Sequence, residues 1–487
     1  MASAAGTSPT LTPLPRLPMA TCFLTQLSFG VFVTMPFTTF VYMVQDFFPS
    51  DSTALNSQRT GLLASLSNLS MFLTSIPWGY VTDRRGRRPV LNIGNWTASA
   101  TILLLGLQHT FGGACACRVV GGLLNGTLVT MKAVIADVTD DTNAAKAFSL
   151  LSVAWGVGAI LGPVLGGLLS RPCREGGVLF GAASCAPGSV LERQPYLLPC
   201  LTCSLMCALA GTLSLRLPET MRKGTDAARP APVREPCVMG DGEEQPMLLE
   251  VEMQQTAPPP DTDASPVAAA SAPAPPPVRW FRDRQCVLCL LGYALCAFIF
   301  IQLDELLPLF AADGLDMSPR GLSAPLAFGG AVVLSFTLFC YPPLVRRVGL
   351  RASTRGGFVA TSVSTLIVPY ASLATSTGLQ NAILYVGIAA RGVSAVTCFT
   401  SSMLMVNKSS PAGQLGEVNG MWQCLAALVR GLGPAIAGLE WSASLNGPGG
   451  AQFAPFVSIA AMALLGTVLY GQVDFDKASS RRSAGVE

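Results

Sequence analysis

Charged residues are scarce in this chain, and several chemical signatures are missing from it. Asp, Glu, Lys and Arg make up 12% of the 487 residues, where soluble domains usually carry roughly 25%. The single histidine, His109, argues against a His-rich metal site and is a poor general base. No GxxxxGKS phosphate-binding loop is present, which argues against an ATP-driven pump. The sequence therefore predicts no enzyme activity, no cofactor and no metal.

Hydrophobic sequence takes the place of charge. Half of the residues are hydrophobic, and the mean hydropathy is +0.48. Apolar runs of about 20 residues recur, and this length crosses the roughly 30 Å hydrocarbon core of a bilayer. Most of the fifteen cysteines lie inside these runs, where a thiol behaves as a small hydrophobe. A net charge of +3 is too small to indicate a nucleic-acid partner, so the expected partner is a lipid bilayer.

We predict an all-α membrane protein with twelve transmembrane helices, numbered 1 to 12 and arranged as two sets of six. Helices 1 to 6 lie near 18–44, 58–81, 89–109, 113–136, 146–170 and 194–216. Helices 7 to 12 lie near 286–311, 321–345, 353–376, 379–405, 416–440 and 452–473. Residues 18–216 and 286–473 then form two six-helix bundles, here called the N half and the C half, in a chain that we expect to be a monomer.

Polar segments flank the two halves. Residues 1–17 have no apolar core, so we expect a disordered tail rather than a signal peptide. Residues 217–285 are acidic and rich in Pro and Ala, which is typical of a disordered linker. Residues 474–487 are expected to form a second tail.

The positions of Lys and Arg predict the orientation. With the N-terminus inside, 22 of the 31 Lys and Arg lie on the cytoplasmic side and five lie outside. Cytoplasmic loops carry the excess, so both termini and the linker are predicted to be cytoplasmic. The pattern fits a plasma membrane and a vacuolar membrane equally. The external loop near 171–193 holds Cys173 and Cys185, and both a disulfide and two free thiols fit the sequence.

The two halves resemble each other in sequence. Helix 5 carries GAILGPVLGG (158–167), and helix 11 carries LVRGLGPAIAG (428–438). An offset of 271 residues aligns three pairs: Gly162 with Gly433, Pro163 with Pro434, and Gly167 with Gly438. A weaker echo aligns Gly86 with Gly349. Repeated six-helix halves with a binding site between them are an architecture of membrane transporters.

The loop between helices 2 and 3, GYVTDRRGRRP (79–89), holds five charges within six residues. It resembles the loop motif of the major facilitator superfamily, whose residues fall on Gly79, Asp83, Arg84, Gly86, Arg87 and Arg88. RVVGGLLNG (118–126) resembles the helix 4 motif of that family. GAILGPVLGG resembles the helix 5 motif of its drug/proton antiporter branch. The resemblance covers the chain apart from the tails and the linker, and it implies the major facilitator fold.

Four segments carry a closer resemblance within that branch, among them SVAWGVGAILGPVLGGLLSRP (152–172) and QPYLLPCL (194–201). Together with KAVIADVTD (132–140) and GEVNGMWQCLAALVRGLGPAIAG (416–438), they look like the zinc-induced facilitator-like group of tetracycline-transporter relatives. The chain lacks the His-rich linker and the N-terminal Cys-Pro-Gly stretch that are common in that group.

The charged loop is expected to act as a latch. Gly79 should permit close helix approach, and Gly86 should permit a tight turn. Asp83 is placed to cap a helix end or to meet an arginine. The resemblance implies that Asp137, at the end of helix 4, binds one of the arginines. We predict a salt-bridged latch that steadies the outward-open state and breaks when the cytoplasmic side opens.

Charged side chains within the helices are candidates for proton coupling, because each costs about 2.5–3.5 kcal/mol at a helix centre. Arg118 on helix 4 lies at a depth similar to that of Asp304 and Glu305 on helix 7. A carboxyl group in an apolar cavity binds a proton more readily, and a nearby cation weakens that binding. Adjacent helix residues point about 100° apart, so one acid faces the cavity, and we favour Asp304. In the structural alternative the acids begin a loop and Arg118 snorkels to the helix end.

Other polar residues of the helices are candidate substrate contacts. Gln26, Asn125, Gln302 and Arg391 are expected in the cavity, although Asn125 equally fits close helix packing. Arg391 is expected to hold an anionic substrate group or to pair with a buried acid. Arg430 fits the same two roles, but because it lies on a supporting helix we favour a structural role for it.

Helix 5 carries a stripe of small residues. Gly158, Gly162 and Gly166 recur every four residues, which gives one smooth face for close packing. Pro163 permits a bend, and Gly167 follows directly on the stripe. We expect this face to lie between the halves, where it suits a rocking motion and also generic tight packing.

The predicted function is secondary active transport. We expect proton-coupled antiport of a small organic solute, either a drug-like amphiphile or a carboxylate-bearing metal chelator, by alternating access. A proton-independent facilitator and a non-transporting receptor or scaffold with the same fold are the alternatives.

Overall fold

The structure, a computed structural model of the chain, describes residues 12–140, 143–174, 185–220, 279–411, 415–448 and 450–473. The second predicted tail, most of the first and most of the predicted linker lie outside the described residues. Helical segments occupy all twelve predicted positions. In the part of the chain that is described, nine of them are long and apolar enough to span a membrane.

Most of the helices are longer than predicted, helices 3, 6 and 12 are shorter, and several are interrupted. The N half contains helix 1 (Arg16–Thr34, continued by a 3-10 turn at Met35–Thr38 and by Phe40–Phe47), helix 2 (Thr53–Arg85), helix 3 (Arg87–Gly106), helix 4 (Phe111–Leu123 and Thr127–Val138), helix 5 (Ala144–Leu169) and helix 6 (Leu197–Leu215). The C half contains helix 7 (Arg284–Leu309, continued by a π-helix at Phe310–Gly314), helix 8 (Pro319–Ser335, Phe336–Cys340 and Tyr341–Val348), helix 9 (Leu350–Ile367, continued by Val368–Leu373), helix 10 (Thr377–Ser409), helix 11 (Leu415–Leu445) and helix 12 (Ala454–Gly471).

Hydroxyl side chains begin several helices. Ser52, Thr110, Ser318 and Ser376 each accept a hydrogen bond from a backbone N–H three residues later. These bonds satisfy donors that have no partner inside the helix, so they fix where the helix begins.

Residues that are 271 positions apart in the two halves make equivalent contacts. Gly162 faces Thr34 of helix 1, and its counterpart Gly433 faces Ile301 of helix 7, each within its own half. In contrast, Gly167 faces helix 8 of the C half, and its counterpart Gly438 faces helix 2 of the N half. The two halves therefore meet along two equivalent helix pairs, 5 with 8 and 11 with 2.

The glycine stripe of helix 5 does not lie between the halves, and that prediction was wrong. A Cβ on Gly158 would come within 2.9 Å of the Cα of Gly30 in helix 1, and Gly162 and Gly166 also face helix 1. Residues four apart share one helix face, so the whole stripe packs inside the N half. Gly167 points about 100° away and makes the contact with the other half.

Two positive-φ glycines mark one end of the bundle. Gly86 has φ +102° between helices 2 and 3, and Gly349 has φ +84° between helices 8 and 9. Glycine adopts this conformation without a steric penalty, so the predicted tight turn and its echo are both present. This end is called the Gly86 end. The opposite end, where helix 7 finishes beside Asp313, is called the Asp313 end.

A polar cluster anchors the loop between helices 5 and 6 at the Asp313 end. Arg171 binds Asp46 through Nη2 and Nε at 2.9 and 3.0 Å. The hydroxyl of Tyr196 also donates to Asp46, at 2.6 Å. In the same loop Cys173 and Cys185 form a disulfide, which decides between the two alternatives that the sequence leaves open.

Candidate transport site

A cavity lies between the halves, among helices 1, 2, 4, 7 and 11. Its polar lining consists of Ser67, Asn68, Arg118, Asn125 and Glu305. Its apolar lining consists of Phe29, Phe32, Val33, Pro36, Phe37, Ala64, Met71, Ile301 and Pro434. An apolar cleft with a few convergent polar groups is the usual form of a small-molecule site.

Arg118 supplies the positive charge of the cavity. Arg118 is only 6% exposed. Its guanidinium carbon lies 5.4 Å from the ring centre of Phe32 and 5.1 Å from that of Phe40. Within the described residues, its buried Nε and Nη1 have no hydrogen-bond partner. Aromatic faces attract a cation but accept no strong hydrogen bond, so these donors are available to a ligand.

Glu305 is the acid that lines the cavity with Arg118, and it is also 6% exposed. The two side chains interact electrostatically although they belong to different halves. Asp304 instead forms an ion pair with Arg391 of helix 10. The structure therefore differs from our preference for Asp304, because the helix directs the neighbouring residue into the cavity.

Of the other residues predicted to contact the substrate, one lines the cavity and three do not. Asn125 lines the cavity, and its Oδ1 accepts hydrogen bonds from the N–H and hydroxyl of Thr127, where helix 4 restarts. Gln26, Gln302 and Arg391 are not among the lining residues. Gln302 is fully buried, and neither amide atom has a partner within the described residues.

Asp313 was missed by sequence reasoning, because one acid near a helix end carries no motif. Its carboxylate accepts hydrogen bonds from Gln45 Nε2 at 3.0 Å, Ser57 Oγ at 3.1 Å and Trp441 Nε1 at 3.1 Å. Gln45 and Ser57 belong to the N half, and Trp441 belongs to the C half. The sequence does hold one signal of an irregular helix end here, which is Pro308. Proline lacks a backbone donor, and Pro308 lies just before the π-helix that carries Asp313.

Further hydrogen bonds join the halves from the Asp313 end toward the middle. The hydroxyl of Tyr42 donates to the carbonyl of Met317 at 2.6 Å, and Gln58 donates to Ser442 at 2.8 Å. Deeper in the bundle, Asn68 donates to the carbonyl of Arg430 at 3.3 Å. The bonds of Tyr42 and Gln58 and the Asp313 cluster hold the two halves together at the Asp313 end.

The charged loop at the Gly86 end binds other parts of the N half. Arg87 Nε lies 3.0 Å from Asp137 Oδ2, which matches the partner that the resemblance implied. Asp83 lies 3.8 Å from Arg87, and its side chain is 75% exposed. Arg84 lies over the ring of Tyr80. Asp137 is therefore the closer acidic partner of the loop.

A carboxylate outside the motif caps helix 3. Glu219 accepts hydrogen bonds from the backbone N–H groups of Arg87 and Arg88, at 2.8 and 3.2 Å. The capping role expected of Asp83 thus belongs to Glu219. Gly79 has no atom within 4 Å of an added Cβ, so the predicted close approach there was wrong. Gly79 lies on a helix 2 face that no neighbouring helix covers closely.

A sequence profile of the Major Facilitator Superfamily matches residues 22–434. The chain belongs to the Major Facilitator Superfamily. It is 27% identical over 450 residues to Protein ZINC INDUCED FACILITATOR-LIKE 1 of Arabidopsis thaliana, with 88% of this chain and 85% of that protein covered. It is 36% identical over 127 residues to the class C tetracycline resistance protein of Escherichia coli, with 26% of this chain and 31% of that protein covered.

Solved structures give the same fold. The crystal structure of a D-xylose-proton symporter has a TM-score of 0.66 at 14% identity, with 93% of this chain and 97% of that chain covered. The predicted fold and family are therefore confirmed. The chain is a transporter of this superfamily, related to a zinc-induced facilitator-like protein and, over part of its length, to a tetracycline resistance protein.

Proposed function

We propose that this transporter exchanges protons for a small organic solute by alternating access. Glu305 carries the proton, and Arg118 controls how tightly Glu305 holds it. The observation that carries this proposal is the placement of Arg118 and Glu305 in one buried cavity, on helices from opposite halves.

The coupling follows from the distance between the two charges. When the halves bring Arg118 close to Glu305, the cation favours the ionised carboxylate. When the halves separate on that side, the attraction weakens and the buried carboxyl binds a proton more readily. Because rocking of the halves changes this distance, the proton affinity of Glu305 alternates with the state of the carrier.

We also propose that the Gly86 end faces the cytoplasm. The bias of Lys and Arg toward the loops at that end supports this orientation. The Cys173–Cys185 disulfide at the opposite end supports it independently, because disulfides persist in oxidising compartments.

Flux measurements in proteoliposomes test the proposal. Wild-type protein should accumulate a solute from a panel of drug-like amphiphiles and carboxylate-bearing chelators when a proton gradient is imposed. Glu305→Gln should abolish accumulation against a gradient but retain solute exchange. Glu440→Gln on helix 11, which changes an acid outside the cavity, is the matched control. Equal flux with and without a gradient would indicate a facilitator, and no flux across the panel would indicate a receptor or scaffold.

A further inference from the structure

Arg430 is a charged group on helix 11 that the proposed coupling does not use. It is half-buried within a segment long and apolar enough to span a membrane. Within the described residues, no carboxylate forms an ion pair with it. A guanidinium in a membrane span is costly to leave unpaired, so one without an acidic partner among the described residues points to an anion from outside them.

The position of Arg430 places it beside the transport cavity. It lies one helical turn from Pro434, on the same face of helix 11, and Pro434 lines the cavity. Helix 11 begins at Leu415 and reaches the Asp313 end at Trp441. Arg430 therefore lies on the Gly86 side of the cavity, about 6 Å along the helix axis from Pro434.

Aromatic side chains accompany Arg430 on this side. Trp422 lies eight residues before Arg430 on helix 11, about two helical turns toward the Gly86 end. Trp422 packs against Tyr293 of helix 7. The Tyr293 ring meets Trp422 edge-on with ring centres 5.0 Å apart, and it meets Phe399 of helix 10 at 6.0 Å. Trp422 and Phe399 are only partly buried. Tyr293, Phe399 and Trp422, here called the aromatic wall, thus belong to three helices of the C half.

We propose that Arg430 and the aromatic wall form a binding subsite for an aromatic carboxylate that enters the cavity from the Gly86 end. The guanidinium donates a pair of hydrogen bonds to the carboxylate. The rings pack edge or face against the aromatic part of the solute. This inference rests on the proposed transport function and narrows its solute to organic anions with a ring.

Arg118 extends the subsite into the cavity. Its Nε and Nη1 lack partners within the described residues, as noted above, so a carboxylate released by Arg430 meets a second guanidinium. Two guanidinium groups along one path allow an anion to move inward without facing the apolar lining unpaired.

Equilibrium binding to purified full-length protein in lipid nanodiscs tests the subsite, with empty nanodiscs as the blank. The probes are 2-naphthoate, the neutral 2-naphthylmethanol and the non-aromatic cyclohexanecarboxylate. Wild-type protein should bind 2-naphthoate about tenfold more tightly than 2-naphthylmethanol, since a charged hydrogen bond contributes at least that factor. It should bind 2-naphthoate several-fold more tightly than cyclohexanecarboxylate, since aromatic contacts contribute about that much. Arg430→Gln should remove this advantage over 2-naphthylmethanol, and Arg430→Lys should restore part of it. Trp422→Leu should remove the advantage over cyclohexanecarboxylate.

The control is Arg355→Gln, which removes an exposed arginine on helix 9, and thermal unfolding checks that each variant is folded. Equal affinity of wild type for the three probes would overturn the subsite, as would an Arg430→Gln variant that binds 2-naphthoate normally. Because binding needs no proton gradient, the two proposals fail separately. Loss of gradient-driven flux with intact probe selectivity rejects the antiport, and intact flux without selectivity rejects the subsite.

Discussion

Ser57 of helix 2 donates its hydroxyl to Asp313 of helix 7, 3.1 Å away and in the other half of the molecule. Gln45 of helix 1 donates to the same carboxylate, so one acid of the C half holds two helices of the N half. Trp441 fixes the acid from its own half. Asp313 is therefore positioned to keep this end of the transporter closed.

Replacing Asp313 should open this end. In Asp313→Ala, the amide of Gln45 and the indole N–H of Trp441 lose their acceptor, and each unsatisfied donor costs about 1–3 kcal/mol. The Ser57 hydroxyl keeps the carbonyl of Thr53 as an acceptor but loses its bond to the other half. The balance should shift by at least about tenfold toward states open at the Asp313 end. Electron–electron distance measurements between spin labels at Ser50 and Asn446 should show the longer separation.

The matched control is Asp51→Ala, since Asp51 lies at the same end but pairs with Arg59 inside the N half. It should leave the distance distribution unchanged. A distribution that is the same in Asp313→Ala and wild type would contradict the closing role of Asp313.

The Asp304–Arg391 pair should stabilise the C half more than it serves transport. Removing one partner leaves the other charge buried and unpaired, which costs about 3–5 kcal/mol. Asp304→Asn and Arg391→Gln should each lower the unfolding temperature, and the double variant should be more stable than either single variant. Thermal unfolding of the purified proteins measures this, and additive losses would argue against coupling of the two residues.

Transport should depend more on Asp137 than on Asp83, although both acids lie near Arg87 of the charged loop. Asp137 lies 3.0 Å from Arg87, whereas Asp83 is 3.8 Å away and mostly exposed, and exposed pairs contribute about 0–1 kcal/mol. Asp137→Asn should lower transport several-fold at equal membrane abundance, and Asp83→Asn should lower it less. Uptake normalised to protein in the membrane is the measurement. The reverse order would show that Asp83 acts in a state other than the one described.

Close packing on helix 5 should be intolerant of a methyl group. In Gly158→Ala the Cβ would lie 2.6 Å from the carbonyl oxygen of Leu27, so helices 1 and 5 must separate. Overpacking of this kind costs about 1–3 kcal/mol. Gly79→Ala meets no atom within 4 Å and should be neutral or slightly stabilising. Equal unfolding temperatures for the two variants would contradict this assignment.

Sequence predicted the features that depend on local composition. The length of the apolar runs predicted the twelve helices. The 271-residue offset predicted the repeat, and Gly433 and Gly438 make contacts equivalent to those of Gly162 and Gly167. It did not predict which of Asp304 and Glu305 faces the cavity, because that choice depends on the rotation of helix 7. Asp313 and Glu219 were missed because their partners are far away in sequence, and only the packed helices bring them together.

The loop anchor formed by Asp46 and Tyr196 should show a defined pH dependence. Burial raises the pKa of the Tyr196 hydroxyl well above its ordinary value, so the hydroxyl stays protonated and donates to Asp46 through neutral pH. A folded-state pKa above the unfolded value means that the contribution is complete below about pH 10 and declines as pH rises further. A hydrogen bond to a charged group contributes about 1.5–3 kcal/mol.

Tyr196→Phe should therefore lower the unfolding temperature by a constant amount between pH 6 and about pH 9, and the difference from wild type should shrink above about pH 10. Tyr370→Phe, at an exposed tyrosine of helix 9, should leave the unfolding temperature unchanged throughout. A wild-type advantage that grows with alkaline pH would mean that the ionised phenol is the stabilising form. That result would be incompatible with a hydroxyl that donates to the Asp46 carboxylate, because two anions at 2.6 Å repel each other.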